Sequence, residues 1–413
     1  MSNCLVLLTN YYPYYKGEEY LESEIGYLSD KFKTIYVIPT MVNNNMKKTR
    51  QVPMNVTVIN IDYSHTMANR LKNIFKIGKS NIKKDSKNIS HILYQNYFNN
   101  RCFEIMGLIK RKLDLLDFAE YDGIVIYSYW LYVTAQVGIL LKTDLSNKIN
   151  KSISLISRAH RYDLYEEESK LKFLPSRNYI LENIDYVYPC SDDGANFLKT
   201  KYPKYIEKVE TKRLGSEYQG INKGSEDGIF RIVSCSALRP IKRVDLIIDS
   251  LKELETKNIK FHWTHFGDGE EFENLLQKAR CDLNEANFTF EGFVKNEDLL
   301  KYYEMNSVDC FINVSKSEGI PVSIMEAMSF TIPVIATDVG GTREIVLNNF
   351  NGILLDANVE AHDIFKAIEK IALLELSEIK SIRKNSFEVW KKNYDSSILY
   401  NNFSNELIEM QGV

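Results

Sequence analysis

The stretch Ser315-Lys316-Ser317-Glu318-Gly319-Ile320-Pro321-Val322-Ser323-Ile324-Met325-Glu326-Ala327-Met328 decides the fold. The apolar run Val308 to Val314 before it reads as a buried strand, and Glu318 to Pro321 as a turn. Val322 to Phe330 reads as a helix, with Pro321 suited to its first turn. A strand-turn-helix of this kind aims free backbone N–H groups, and the positive end of a helix, at whatever lies above the strand. Glu318 falls at the mouth of the turn, and Glu326 one to two turns into the helix. Apolar neighbours surround Glu326, so the helix is expected to be largely buried. Phosphate seeks amides, and sugar hydroxyls seek carboxylate acceptors. A nucleoside diphosphate sugar carries both groups.

Outward from this stretch, strands and helices alternate in both directions. Strand candidates in the first half are Cys4 to Thr9, Thr34 to Pro39, Val56 to Ile61, Gly123 to Tyr127, Ile153 to Arg158 and Tyr186 to Pro189. Those in the second half are Phe230 to Cys235, Ile259 to Phe266, Phe288 to Glu291, Cys310 to Val314, Val334 to Ala336 and Gly352 to Leu355. Helical patterns lie between them, including Tyr20 to Lys31, Tyr94 to Leu116, Val244 to Glu255 and Asn296 to Glu304. Such alternation predicts an α/β chain of two doubly wound, Rossmann-like domains facing across a cleft, with ligands at the carboxyl ends of the strands. Polar, glycine-punctuated sequence from Lys204 to Asp227 supplies the linker. The expected division is 1–220, 221–385 and a C-terminal helix, 386–413, packing back on the first domain.

The chain has 413 residues, enough for two ordinary domains. Its apolar share of 44% and charged share of 26% are globular values. A net charge of −3 argues against a dedicated nucleic-acid binder. No apolar run approaches a membrane-spanning length, and Leu5 to Leu8 is too short for a secretory leader. A cytoplasmic location is therefore expected. The six cysteines, at 4, 102, 190, 235, 281 and 310, form no CxxC pair, so structural zinc and thiol-redox motifs fall away.

Glu318-x7-Glu326 is followed by Pro333-Val334-Ile335-Ala336-Thr337-Asp338-Val339-Gly340-Gly341-Thr342-Arg343-Glu344-Ile345-Val346. Together they resemble the C-terminal core of retaining glycosyltransferases of family 4, the glycosyl transferases group 1. The resemblance implies the GT-B architecture and transfer of sugar, with retention, from a nucleoside diphosphate sugar to a hydroxyl. UDP is the preferred nucleotide. The acceptor is a glycan or a lipid-linked sugar, as in cell-surface polysaccharide or capsule assembly. No cofactor or metal is expected.

Residue by residue, the resemblance assigns Glu326 to the ribose hydroxyls and Glu318 to the donor sugar or its developing positive charge. Lys242 goes to the donor phosphates, and backbone amides near the stretch Gly319-Ile320-Pro321-Val322 complete the cradle. The segment Ala237-Leu238-Arg239-Pro240-Ile241-Lys242-Arg243 departs from the family pattern. Ala237 stands at the family arginine position, Arg239 is offered as the replacement charge, and Arg243 stands where a glycine is usual. Gly267, in a Gly-x-Gly turn, and Phe293 and Val294, after a strand end, complete the donor side.

In the first half, His160 resembles the family histidine that touches the donor sugar. The loop Thr9 to Glu19 keeps Pro13 and Gly17, but Glu18 replaces the second of a glycine pair that approaches phosphate or acceptor. Gly17, Tyr129, Trp130 and Asp163 are acceptor or loop candidates. The segment Arg70 to Lys84 mixes cations with apolar residues, which suits an anionic membrane surface and a peripheral position at the inner face. Two other readings stay open: a nucleotide-sugar epimerase of the same fold, and a catalytically silent carbohydrate-binding partner subunit.

Overall fold

The computed structural model describes residues 2–15, 17–63, 66, 73–74, 88–218, 220–257 and 259–411. The segment Arg70 to Lys84 lies outside the described residues, apart from Asn73 and Ile74. The chain forms two compact units. One is Met1–Lys212 with Ile398–Val413, and the other is Arg213–Ser397.

The first unit holds β1 (Cys4–Thr9), β2 (Thr34–Pro39), β3 (Val56–Val58), β4 (Gly123–Ser128), β5 (Ser152–Ala159) and β6 (Tyr186–Pro189). They form one parallel sheet in the order β3-β2-β1-β4-β5-β6. The second unit holds β7 (Phe230–Cys235), β8 (Phe261–Phe266), β9 (Phe288–Gly292), β10 (Cys310–Asn313), β11 (Val334–Thr337) and β12 (Gly352–Leu355). Their order is β12-β11-β10-β7-β8-β9, again parallel. Each sheet is doubly wound, and its order reverses beside the first strand, at β1/β4 and at β7/β10. That reversal parts the flanking loops and opens a crevice at the carboxyl ends.

Parallel strands covered on both faces read as continuous apolar runs, and β1 is buried along its whole length. Its side chains alternate between layers: Cys4, Val6 and Leu8 enter one core, while Leu5 and Leu7 enter the other. In the second unit Ile232 and Ile312 face one core, and Val233 and Phe311 the opposite one. Among the described residues, no helix is long and apolar enough to cross a membrane.

The divisions at 212/213 and 397/398 differ from the expected 220/221 and 385/386. Long-range polar bonds explain both shifts. Arg213 Nη2 donates to Glu344 Oε2 at 3.2 Å, and the Ser216 N–H donates to the Tyr394 carbonyl at 3.0 Å. This ties the supposed linker to the second unit. The 385/386 boundary falls inside the helix Leu376–Asn393. That helix is held by the Ser386 hydroxyl on the Ile332 carbonyl and the Trp390 indole on Ser216 Oγ.

Candidate active site

In the second unit, the loops after β7, β8, β10 and β11 are bonded to one another. The Ser236 N–H donates to the Phe266 carbonyl at 3.0 Å, Leu238 to Asp268 at 3.0 Å, and Lys316 to Ile241 at 2.8 Å. The Gly341 N–H donates to the Gly319 carbonyl at 2.8 Å. Close approach explains the glycines. A Cβ on Gly340, whose φ is +52°, would lie 2.0 Å from the Glu318 carbonyl oxygen. One on Gly267, at φ +142°, would lie 1.8 Å from that of Ser236. Side chains at either position would push the loops apart.

Within this rim the geometry joins Lys242 and Glu318. Lys242 ends the short turn Pro240–Lys242, and its Nζ lies 2.6 Å from Glu318 Oε1. Asn313 Nδ2, from the end of β10, is 3.4 Å from the same oxygen. The pair thus bridges the β7 and β10 loops at the reversal of strand order. The helix Val322–Ser329 begins at the residue the sequence suggested and ends one residue earlier. Pro321 is its N-cap, with ψ of 110° outside the helical range. Ile324 is the first residue whose N–H turns back into the helix, to the Pro321 carbonyl. The N–H groups of Val322 and Ser323 are left at its positive end, as in any first turn.

Glu326 stands just over one turn further along, half-buried between the buried Met325 and Ala327. Asn296 Nδ2 donates to its Oε1 at 2.7 Å. Burial pushes the Glu326 carboxyl up to about 7, with the Asn296 bond working the other way. Arg239 is exposed on the Lys242 turn. The Gly267 N–H donates to the Gly292 carbonyl at 2.8 Å, beside the exposed Phe293 and the half-buried Val294.

Arg243 takes the left-handed conformation, φ +50°, that the glycine it replaces adopts without strain. Its guanidinium supplies a reason to tolerate it. Nε donates to the Val314 carbonyl at 2.7 Å, Nη2 to Ser315 at 3.0 Å and Nη1 to Ala357 at 3.0 Å. The side chain therefore clamps the base of the Glu318 turn. Arg243→Ala keeps the backbone strain and removes the clamp, so it is expected to cost about 1–3 kcal/mol. Arg243→Gly recovers the strain and should be milder. Urea midpoints of the two variants check the order.

In the first unit, β5 ends at Ala159 and His160 caps the four-residue helix Arg161–Leu164. The imidazole packs between the rings of Tyr129 and Trp130, at centroid distances of 4.7 and 4.8 Å. Its Nδ1 lies 3.4 Å from Cys190 Sγ. Burial, and then the Arg158 charge, push His160 down to about 3, so it is neutral at physiological pH.

Asp163 is fully buried, and burial raises its carboxyl to about 7. It accepts from the His160 N–H at 2.7 Å and the Leu131 N–H at 2.6 Å. The two bonds brace the loop between the ends of β4 and β5. Tyr129 is likewise buried, and Gly17 takes φ +97°. Trp130 Nε1 donates to Glu18 Oε1 at 2.6 Å. The sequence reading left the roles of Glu18, Asn296, Asn313 and Cys190 unassigned.

Residues 221–389 match the family model described as glycosyl transferases group 1. An uncharacterized glycosyltransferase of Methanocaldococcus jannaschii is 27% identical over 288 residues, covering 66% of this chain and 71% of that protein. The amylovoran biosynthesis glycosyltransferase AmsK of Erwinia amylovora is 29% identical over 158 residues, covering 36% of this chain and 38% of its own. The crystal structure of Anabaena HepE in complex with UDP and glucose superposes with a TM-score of 0.68. It covers 98% of both chains at 15% identity, which bears on the fold alone. The second unit thus carries the sequence pattern of the group 1 glycosyl transferases, within a chain whose two doubly wound units have the GT-B fold.

Proposed function

We propose that the chain is a glycosyltransferase. It moves a sugar from a nucleoside diphosphate sugar, UDP-linked by preference, to a hydroxyl of a glycan or lipid-linked acceptor in polysaccharide assembly. Retention of the anomeric configuration is the outcome that the family 4 resemblance implies. The observation that carries the reading is the Lys242–Glu318 pair beside the N-terminus of the helix that bears Glu326. As the glycosidic bond breaks, negative charge grows on the diphosphate. Lys242 and the N–H groups at Val322 and Ser323 are placed to receive it. Positive charge grows on the anomeric carbon, where the Glu318 carboxylate opposes it. Glu326 accepts from the ribose hydroxyls, and neutral His160 donates to a substrate hydroxyl. Charge on the leaving group is met without a metal cofactor in this scheme. The relative named for amylovoran biosynthesis and the UDP complex of HepE support the substrate class.

A pH signature follows from Glu326. Ribose hydroxyls donate to the carboxylate form, so binding must first release its proton when pH lies below the raised value of about 7. Nucleotide affinity should fall as pH drops through that range, approaching about tenfold per unit. Glu326→Gln has no proton to release, and titration calorimetry should show it lacking this component of the slope.

The test of the activity is nucleotide release from UDP-, GDP- and ADP-sugars, with and without a lipid extract, alongside Glu326→Ala. Acceptor-dependent release of one nucleotide, lost in the variant, is the expected result. An altered sugar without release would replace the transferase by an epimerase. Absence of both release and nucleotide binding would leave the silent partner.

A further inference from the structure

Glu18 is a buried charged group that the proposed reaction leaves unexplained. It follows Gly17 in the loop after β1, at φ +60°, and is 5% exposed. Its carboxylate folds back into its own loop. Oε1 accepts from the Asn10 N–H at 2.7 Å, and Oε2 from the Tyr11 and Tyr12 N–H groups at 2.8 and 2.6 Å. Oε1 also takes the Trp130 indole N–H at 2.6 Å, which crosses from the β1 loop to the β4 loop. Successive backbone N–H groups converging on one point make an anion-binding nest. This one sits at the carboxyl end of β1, beside the reversal of strand order, where a doubly wound sheet receives ligand phosphate. Here the anion is part of the chain.

We propose that Glu18 is an internal anion that fills this nest, shuts the β1 loop to phosphate and holds Trp130 against His160. Four donors serve the two oxygens, and bonds to a charged acceptor are the strong ones. An external phosphate would compete with a tethered carboxylate at high effective concentration, and would meet its negative charge. The group that this loop admits is therefore uncharged. Trp130 offers it a half-buried ring, and His160 a neutral imidazole. Resting on the transferase reading, this identifies the ligand of the β1 loop as a hydroxyl-bearing sugar and not a phosphorylated group. Glu18 acts as a positioning residue, through Trp130.

The chain has three tryptophans, and Trp263 and Trp390 are fully buried, so acrylamide quenching reports Trp130. It should be measured on the full chain for wild type, Glu18→Gln and Glu18→Gly, with and without inorganic phosphate or formate. Glutamine keeps the shape but sets an amide N–H₂ against N–H donors, so quenching should rise. Glycine accepts the positive φ and empties the nest. Quenching should rise there too, then fall back saturably as formate or phosphate is added. Wild type should not respond to either anion. A phosphate response in wild type, unchanged quenching in both variants, or an opened glycine variant that neither anion closes would each overturn the proposal. Failure of nucleotide release would remove the transferase and leave this result standing, so the two ideas fail separately.

Discussion

Lys242→Ala is expected to lower kcat by about 10²–10³-fold, the loss typical of removing one preorganised group aimed at developing charge. The structure gives a reason to expect the upper part of that range. Lys242 Nζ is bonded to Glu318 Oε1 at 2.6 Å, and both side chains are largely shielded, at 23% and 11% exposure. Alanine therefore removes a cation from the leaving diphosphate and also exposes an uncompensated carboxylate beside it. Glu318→Gln has the opposite effect on the product. It frees the ammonium and removes a competing anion, so nucleoside diphosphate should bind more tightly while turnover falls. The double variant should bind nucleotide better than Lys242→Ala alone, because the repulsion is gone. Steady-state kinetics and nucleotide titration across the four proteins measure this coupling. A Lys242→Ala enzyme with unaltered kcat and nucleotide affinity would take the lysine out of the mechanism and leave it a structural partner of Glu318.

Strand positions were legible in the sequence because parallel strands bury both faces. Runs such as Leu5-Val6-Leu7-Leu8 and Phe311-Ile312 carry their own evidence. The Glu318 turn was legible because glycine and proline fix backbone shape locally. The helix Ile89–Leu113 was placed five residues late. Its first turn exposes Ile89, Ile92 and Leu93, and the buried stripe alone does not announce it. Asn88, whose side chain caps the His91 N–H, was the available signal.

What stayed illegible is where a charged side chain turns. Glu18 and Arg243 both occupy positions where the family pattern has glycine. Both take positive φ, and both spend their charge on backbone groups of their own or a neighbouring loop. A missing glycine looked like a weakened motif. In the structure it is a loop braced by a side chain in place of one shaped by backbone freedom alone.

Arg158→Ala should destabilise the first unit by about 3–5 kcal/mol, the cost of breaking a buried ion pair from one side. Arg158 and Glu24 are both 0% exposed and 3.0 Å apart. The guanidinium also donates to the Tyr127 hydroxyl at 2.7 Å and the Lys212 carbonyl at 2.7 Å, and lies 4.6 Å from the Phe403 ring centroid. Phe403 belongs to the C-terminal segment, so this one side chain ties β5 to the end of the chain. Removing it strands the Glu24 carboxylate, whose remaining bond is from Tyr127 at 2.8 Å. Adding Glu24→Gln should recover part of the loss, since the stranded charge is then gone. Urea unfolding of the single and double variants measures both. The same substitution bears on the site. Arg158 is one of the two causes that push His160 down, so its removal should raise the His160 pKa, read by NMR titration of the ring. A stable Arg158→Ala protein with His160 unmoved would mean that the pair fixes neither the fold nor the charge state of the imidazole.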